Sequence, residues 1–122
     1  MKSLVQSNIF SSSISPVSLS DTLRDYFKKY LASIDASEQT KIHYRRRLKQ
    51  FAIWIEDQNL LTVDNQSILD YKKFLRTKGH EASTVGAYLV AVRQFFQWAE
   101  VKRIHPDITR GIKGVKRPRG FR

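Results

Sequence analysis

The chain contains no cysteine, which excludes both a disulfide framework and a thiolate metal site and suits a reducing cytoplasm. Histidine is nearly as scarce. His43, His80 and His105 lie far apart, with no carboxylate or second histidine at ligand spacing, so neither a metal centre nor a bound cofactor is expected. The five glycines fall at 79, 86, 111, 114 and 120, in no phosphate-cradling fingerprint. No apolar run approaches the roughly 18 residues that a membrane span needs, and the N-terminus lacks the apolar core of a signal peptide. These absences predict a soluble cytoplasmic protein with no membrane partner. No serine sits in a nucleophile-elbow context, and the adjacent acids Glu56 and Asp57 only close a helix. Nothing assembles an active site, which points to a binding module and away from an enzyme.

Carboxylates are also few, eleven against 22 Lys and Arg, for a net charge of +11 over 122 residues. A domain this basic suits a polyanion, most commonly nucleic acid. The excess is uneven. Residues 21–100 carry 13 bases and ten acids, whereas residues 101–122 carry eight bases and one acid. A solvated tail or an anionic membrane surface would also account for charge of this kind, although the tail has no long amphipathic face to insert.

Hydrophobic residues make up 41% of the chain and recur at helical spacing, so the middle of the chain folds around a core. Residues 1–17, rich in serine and poor in charge, read as a flexible leader. A first helix starts at Ser18 or Ser20, with Leu19, Leu23, Tyr26, Phe27, Tyr30, Leu31 and Ile34 as its stripe. A second runs from an N-cap at Ser37 to about Asp57 and buries Tyr44, Leu48, Phe51, Ala52 and Ile55. A third, capped by Asp64 or Asn65, reaches about Lys78, buries Ile68, Tyr71, Phe74 and Leu75, and stops at Gly79. The fourth, from Ala82 or Ser83 to about Lys102, buries Val85, Leu89, Val92, Phe96 and Ala99. Pro106 blocks continuation, and residues 107–112 have room for one more helical turn. No segment alternates as a strand does. The expected fold is all-α, a four-to-five-helix orthogonal bundle over residues 18–112, followed by a basic linker over 113–122.

Two helices carry a binding signal. The second packs Lys41, His43, Arg45, Arg46, Arg47 and Lys49 close together. Thr40, His43, Arg47 and Gln50 line one ridge, with Lys41, Arg45 and Lys49 beside it and Arg46 on the outer face. Short polar groups near a helix start, with arginines behind them, suit entry into a major groove. A plain solvated face is the alternative. The fourth helix places Gly86, Ala87 and Ala91 away from its apolar stripe. Glycine inside a helix costs about 1 kcal/mol relative to alanine, which suggests close approach by another surface, either DNA or a second helix. Ser83, Thr84, Arg93 and Gln94 supply polar groups near it.

Two blocks then resemble the SAM-like core-binding domain of tyrosine recombinases and phage integrases. One is Ser37-x-x-Thr40-x-x-x-Tyr44-x-x-x-Leu48-x-x-Phe51-x-x-Trp54. The other is Ser83-Thr84-Val85-x-x-Tyr88-Leu89-x-x-Val92-Arg93-Gln94-Phe95-Phe96-x-Trp98-Ala99. Behind them, Ile104-His105-Pro106 resembles the family's Asn-Pro turn, with His in place of Asn. The resemblance spans roughly residues 18–117. It implies a domain that clamps double-stranded DNA through its second and fourth helices, with the catalytic residues in a following domain. By position, Thr40, Lys41, His43 and Arg47 become contacts from the second helix, and Ser83, Thr84, Ala87 and Arg93 from the fourth. Lys113, Lys116, Arg117 and Arg119 become phosphate contacts of the linker. It also implies that the protein's own catalytic domain and sister protomers are partners, with the isolated domain a monomer. A small basic helical regulator and a protein-interaction bundle are the competing readings. The first fits poorly, because the connection over residues 58–65 is too long for a helix-turn-helix.

Overall fold

The computed structural model describes residues 18–113; the leader over residues 1–17 and most of the expected linker, including Lys116, Arg117 and Arg119, lie outside the described residues. Four helices follow in order: α1 (Leu19–Ser33), α2 (Glu38–Asp57), α3 (Asn65–Thr77) and α4 (Ala82–Val101). Among the described residues there is no strand.

Side chains fix where three of these helices begin. Ser18 Oγ accepts from the backbone N–H of Asp21 at 3.2 Å, and Ser37 Oγ accepts from that of Thr40 at 3.1 Å. Asp64 and Ser67 form a reciprocal box: Asp64 Oδ1 accepts from Ser67 N at 3.0 Å, and Ser67 Oγ from Asp64 N at 3.1 Å. α4 begins at Glu81 with no side-chain cap. Left-handed residues close α2, α3 and α4, whereas α1 ends in extended backbone at Ile34. Gly79, at φ 90°, follows α3, whereas Asn59 (φ 56°) follows α2 and Arg103 (φ 60°) follows α4. Asn tolerates that region through its short polar side chain, while Arg holds it at a steric cost.

α4 is the central element and packs against each of the other three, while α1 and α2 form the most extensive pair. Its Phe95 and Phe96 are fully buried and join the neighbours by edge-to-face rings. Phe27 of α1 meets Phe95 at 4.7 Å and 85°, and Phe51 of α2 meets Phe96 at 6.2 Å and 89°. Tyr71 of α3 reaches Phe51 at 4.9 Å. The predicted stripes are largely those buried, Tyr26 and Ile34 only in part, with three further differences. Phe74 is 36% exposed, because α3 packs inward on α4 and nothing covers its outer flank; the ring stacks on Tyr71 and carries Lys78 Nζ 5.5 Å above it. Ala91, expected on the open face of α4, is wholly buried, since neighbours surround most of that helix. Tyr44 is only half-buried at the margin of the core.

Among the described residues the chain beyond α4 does not form a fifth helix. It makes turns that plug the base of the bundle with His105, Thr109 and Ile112, all buried. Side chains from α3 and α4 hold its backbone. Asn65 Nδ2 donates to the carbonyls of Ile108 (2.9 Å) and Arg110 (3.1 Å), Arg93 Nη2 to Ile112 (2.7 Å), and Lys72 Nζ to Lys113 (2.6 Å). Glu100 accepts from the Asp107 N–H and pairs with Arg110; these bonds hold its carboxyl below the usual carboxylate range.

Candidate nucleic-acid interface

Position around α2 follows from the helical repeat of 100° per residue. The buried residues Leu48, Phe51, Ala52 and Ile55 define its inner stripe. Thr40, His43, Arg47 and Gln50 fall on one flank of that stripe, and Lys41, Arg45 and Lys49 fall on the other, beside α1. Arg46 points outward and is exposed. Sequence reasoning placed the two rows side by side; the structure separates them across the buried stripe.

The first turn of α2 is well ordered by its own chemistry. Thr40 Oγ1 accepts from Ser37 Oγ at 3.0 Å while the Thr40 N–H donates back to the same serine. His43 Nε2 lies 3.5 Å from Gln39 Nε2. Arg45, Arg46, Arg47, Lys41 and Lys49 have no carboxylate partner. Among the described residues the ion pairs are Arg24–Glu56, at 3.7 Å, and Arg110–Glu100. The positive charge of α2 is therefore left uncompensated by the fold.

α4 contributes a different surface. Ser83, Val90 and Gln94 are exposed on its outer side, with Thr84, Gly86 and Ala87 half-buried near its start. A Cβ placed on Gly86 would meet no atom within 4 Å. No helix of the described residues explains this glycine. No hydrogen bond or ion pair links the α4 set to the α2 set, although the two helices pack together.

Two expected contacts have partners inside the molecule. Arg93 bonds the Ile112 carbonyl, and the Lys113 carbonyl is bonded by Lys72 while its own side chain is exposed. Asn65 was expected only as a possible helix cap and Lys72 was not singled out, because their carbonyl partners lie more than 40 residues away and no local pattern announces them. Arg24 and Lys28 of α1, which flank the Lys41 row, were missed for a plainer reason: on α1 alone they read as ordinary surface cations.

The remaining titratable groups are structural. Burial pushes the Tyr30 hydroxyl up to about 12 and that of Tyr71 higher still, the opposite of what activates a phenol. Burial holds the His105 imidazole below its ordinary value, and its Nδ1–H donates to the Pro106 carbonyl at 2.9 Å. Among the described residues no group of three His, Asp or Glu side chains comes together as a metal site, and no helix is long and apolar enough to cross a membrane.

Fold and surface together define an all-α domain with one strongly basic helix seated beside a helix of small residues. The family model described as "Phage integrase, N-terminal SAM-like domain" matches residues 23–103, well over half of the chain and nearly all of its four helices. The chain belongs to that family, and the matched domain is the non-catalytic N-terminal part of integrases. No curated protein and no solved structure matches the chain.

Proposed function

We propose that these residues form the DNA-binding domain of a site-specific tyrosine recombinase, gripping the duplex at the recombination core site through α2 and α4. The observation that carries this reading is the uncompensated charge of α2 on a domain of the integrase family. Fixed cations without internal carboxylates are available to phosphates, and each one engaged releases counterions. Thr40, His43 and Arg47 of α2, with Ser83, Thr84 and Ala87 of α4, would face base edges. Arg46, and Lys41 from the opposite flank of α2, would hold phosphates. The open space over Gly86 leaves room for a sugar-phosphate strand to approach the α4 backbone. Arg93 is a positioning residue, acting through the Ile112 carbonyl. Lys113, with Lys116, Arg117 and Arg119, would follow the backbone toward a catalytic domain, and sister protomers would join only on DNA.

Amide shifts of the labelled domain test this, with a short duplex titrated at low and moderate salt. Joint shifts over Thr40–Gln50 and Ser83–Gln94, with affinity falling steeply in salt, are expected. A response confined to residues 113–122 would reduce the domain to a generic phosphate binder, and no response at either salt would leave a protein-interaction bundle.

A further inference from the structure

A groove of about 430 Å³ runs between α1 and α2, on the flank of α2 away from Thr40, His43 and Arg47. Phe27, Leu31 and Ala32 of α1 give it an apolar floor. Its rims are cationic: Arg24 and Lys28 on α1, and Lys41, Arg45 and Lys49 on α2. On each helix these cations recur every fourth residue, so they stand in two rows with a rise of about 6 Å between neighbours. Glu38 is the single acid that lines it.

The fold leaves this arrangement unmatched. Lys28, Lys41, Arg45 and Lys49 form no ion pair. Arg24 stands 3.7 Å from Glu56, and its Nε is buried with no acceptor. Two rows of like charge facing each other repel, and a carboxylate set between them would be attracted from both sides. A DNA strand would answer the cations but has no apolar ridge to fill the floor. An amphipathic segment answers both, with Leu- or Phe-type side chains on the floor and Glu or Asp along each edge. Residues 1–17 and 114–122 contain no carboxylate, and the latter carry four bases, so neither answers the cationic rims.

We propose that the α1–α2 groove docks an acidic amphipathic helix of a partner protein. Lys28, Arg45 and Lys49 pair with its flanking carboxylates, and its apolar stripe lies over Ala32 and the aliphatic stems of the rim cations. The probe is a synthetic helical peptide with a leucine stripe flanked by glutamates, followed by calorimetry and by amide shifts of the labelled domain. Shifts concentrated in Arg24–Ala32 and Glu38–Lys49 are expected. Arg24→Glu with Lys28→Glu is expected to weaken the peptide at least about tenfold, as is a lysine-flanked version of the peptide, and to weaken duplex DNA by a distinctly smaller factor, through net charge alone. Ala32→Glu, at an exposed position that places a carboxylate in the groove itself, is expected to weaken the peptide without disturbing helical content. The proposal is overturned if the peptide does not bind the wild-type domain or is indifferent to the α1 reversals. It is equally overturned if duplex DNA displaces the peptide and loses the same factor in the reversed variant, since the groove would then belong to the DNA footprint.

Discussion

α2 and α4 are both 20 residues long and meet the same core, yet they use their lengths differently. α2 buries only residues in its second half, from Leu48 on, and leaves Glu38–Arg47 outside the core with most of the helix's charge. α4 buries residues from Val85 to Ala99 along nearly its whole length. Its charged residues are Arg93 and Glu100, and both are bonded to the segment beyond the helix. One helix thus offers charge from an anchored stem. The other offers a nearly uncharged surface that cannot move without opening the core. On the proposed reading this is a division of labour: the exposed cations of α2 would hold phosphates, and the fixed face at the start of α4 would set how near the partner comes.

The sharpest way to break this contrast is to cut the anchor of α4. Phe96→Ala, at a fully buried ring, is expected to cost about 3–5 kcal/mol in denaturant unfolding. Arg47→Ala is the counterpart on α2. It should leave unfolding nearly unchanged while duplex affinity falls by about 1–3 kcal/mol if the guanidinium reads a base. Arg46→Ala should weaken all duplex sequences alike and lower the salt slope by about one. If Arg46 or Arg47 proved essential to folding, the division between the helices would be lost. Gly86→Ala separates the two roles on one residue. With nothing within 4 Å of the new methyl, helix propensity predicts a gain of about 1 kcal/mol in stability. A simultaneous loss of duplex affinity would show that the glycine serves the partner at a cost to the fold.

A smaller effect concerns the segment that α4 holds. His105 has its folded pKa depressed below the ordinary 6.5 by burial, so the unfolded state binds the proton more tightly. Stability should therefore be unaffected by this group above about pH 6.5 and decline as pH falls below it toward the folded value. His105→Asn should flatten that part of a thermal-melt series across pH; an unchanged slope would assign it to other groups.

Much of the fold was legible in the sequence because the cues agree with one another. Ser18, Ser37 and Asp64 cap where periodic stripes begin, and Gly79 stops α3 where its stripe ends. What failed was local periodicity asked to report tertiary coverage. Phe74 and Ala91 were assigned by their angle on isolated helices, but exposure depends on how many neighbours a helix has: α3 leaves its outer flank open, and α4 is surrounded. The candidate site was legible as residue types and not as surfaces. That Lys41, Arg45 and Lys49 face α1, across the buried stripe from Thr40, His43 and Arg47, emerges only when that stripe is fixed. Arg93 was recognisable as a cation near the α4 face, but its carbonyl acceptor at Ile112 lies 19 residues further on, beyond the reach of a local pattern.

The two tryptophans sit at different edges of the aromatic core. Trp54 lies 5.1 Å from Tyr71 and 6.3 Å from Phe74, where α2 meets α3. Trp98 lies 5.5 Å from Tyr30 and 5.9 Å from Phe95, where α4 meets α1, and its indole N–H is buried without an acceptor. An indole in that setting emits toward the blue and shifts red once water reaches it. The domain thus carries two built-in optical gauges. Each becomes readable alone when the other is changed to phenylalanine, so a ligand that strains α1 against α4 would register at Trp98 and leave Trp54 dark to the event.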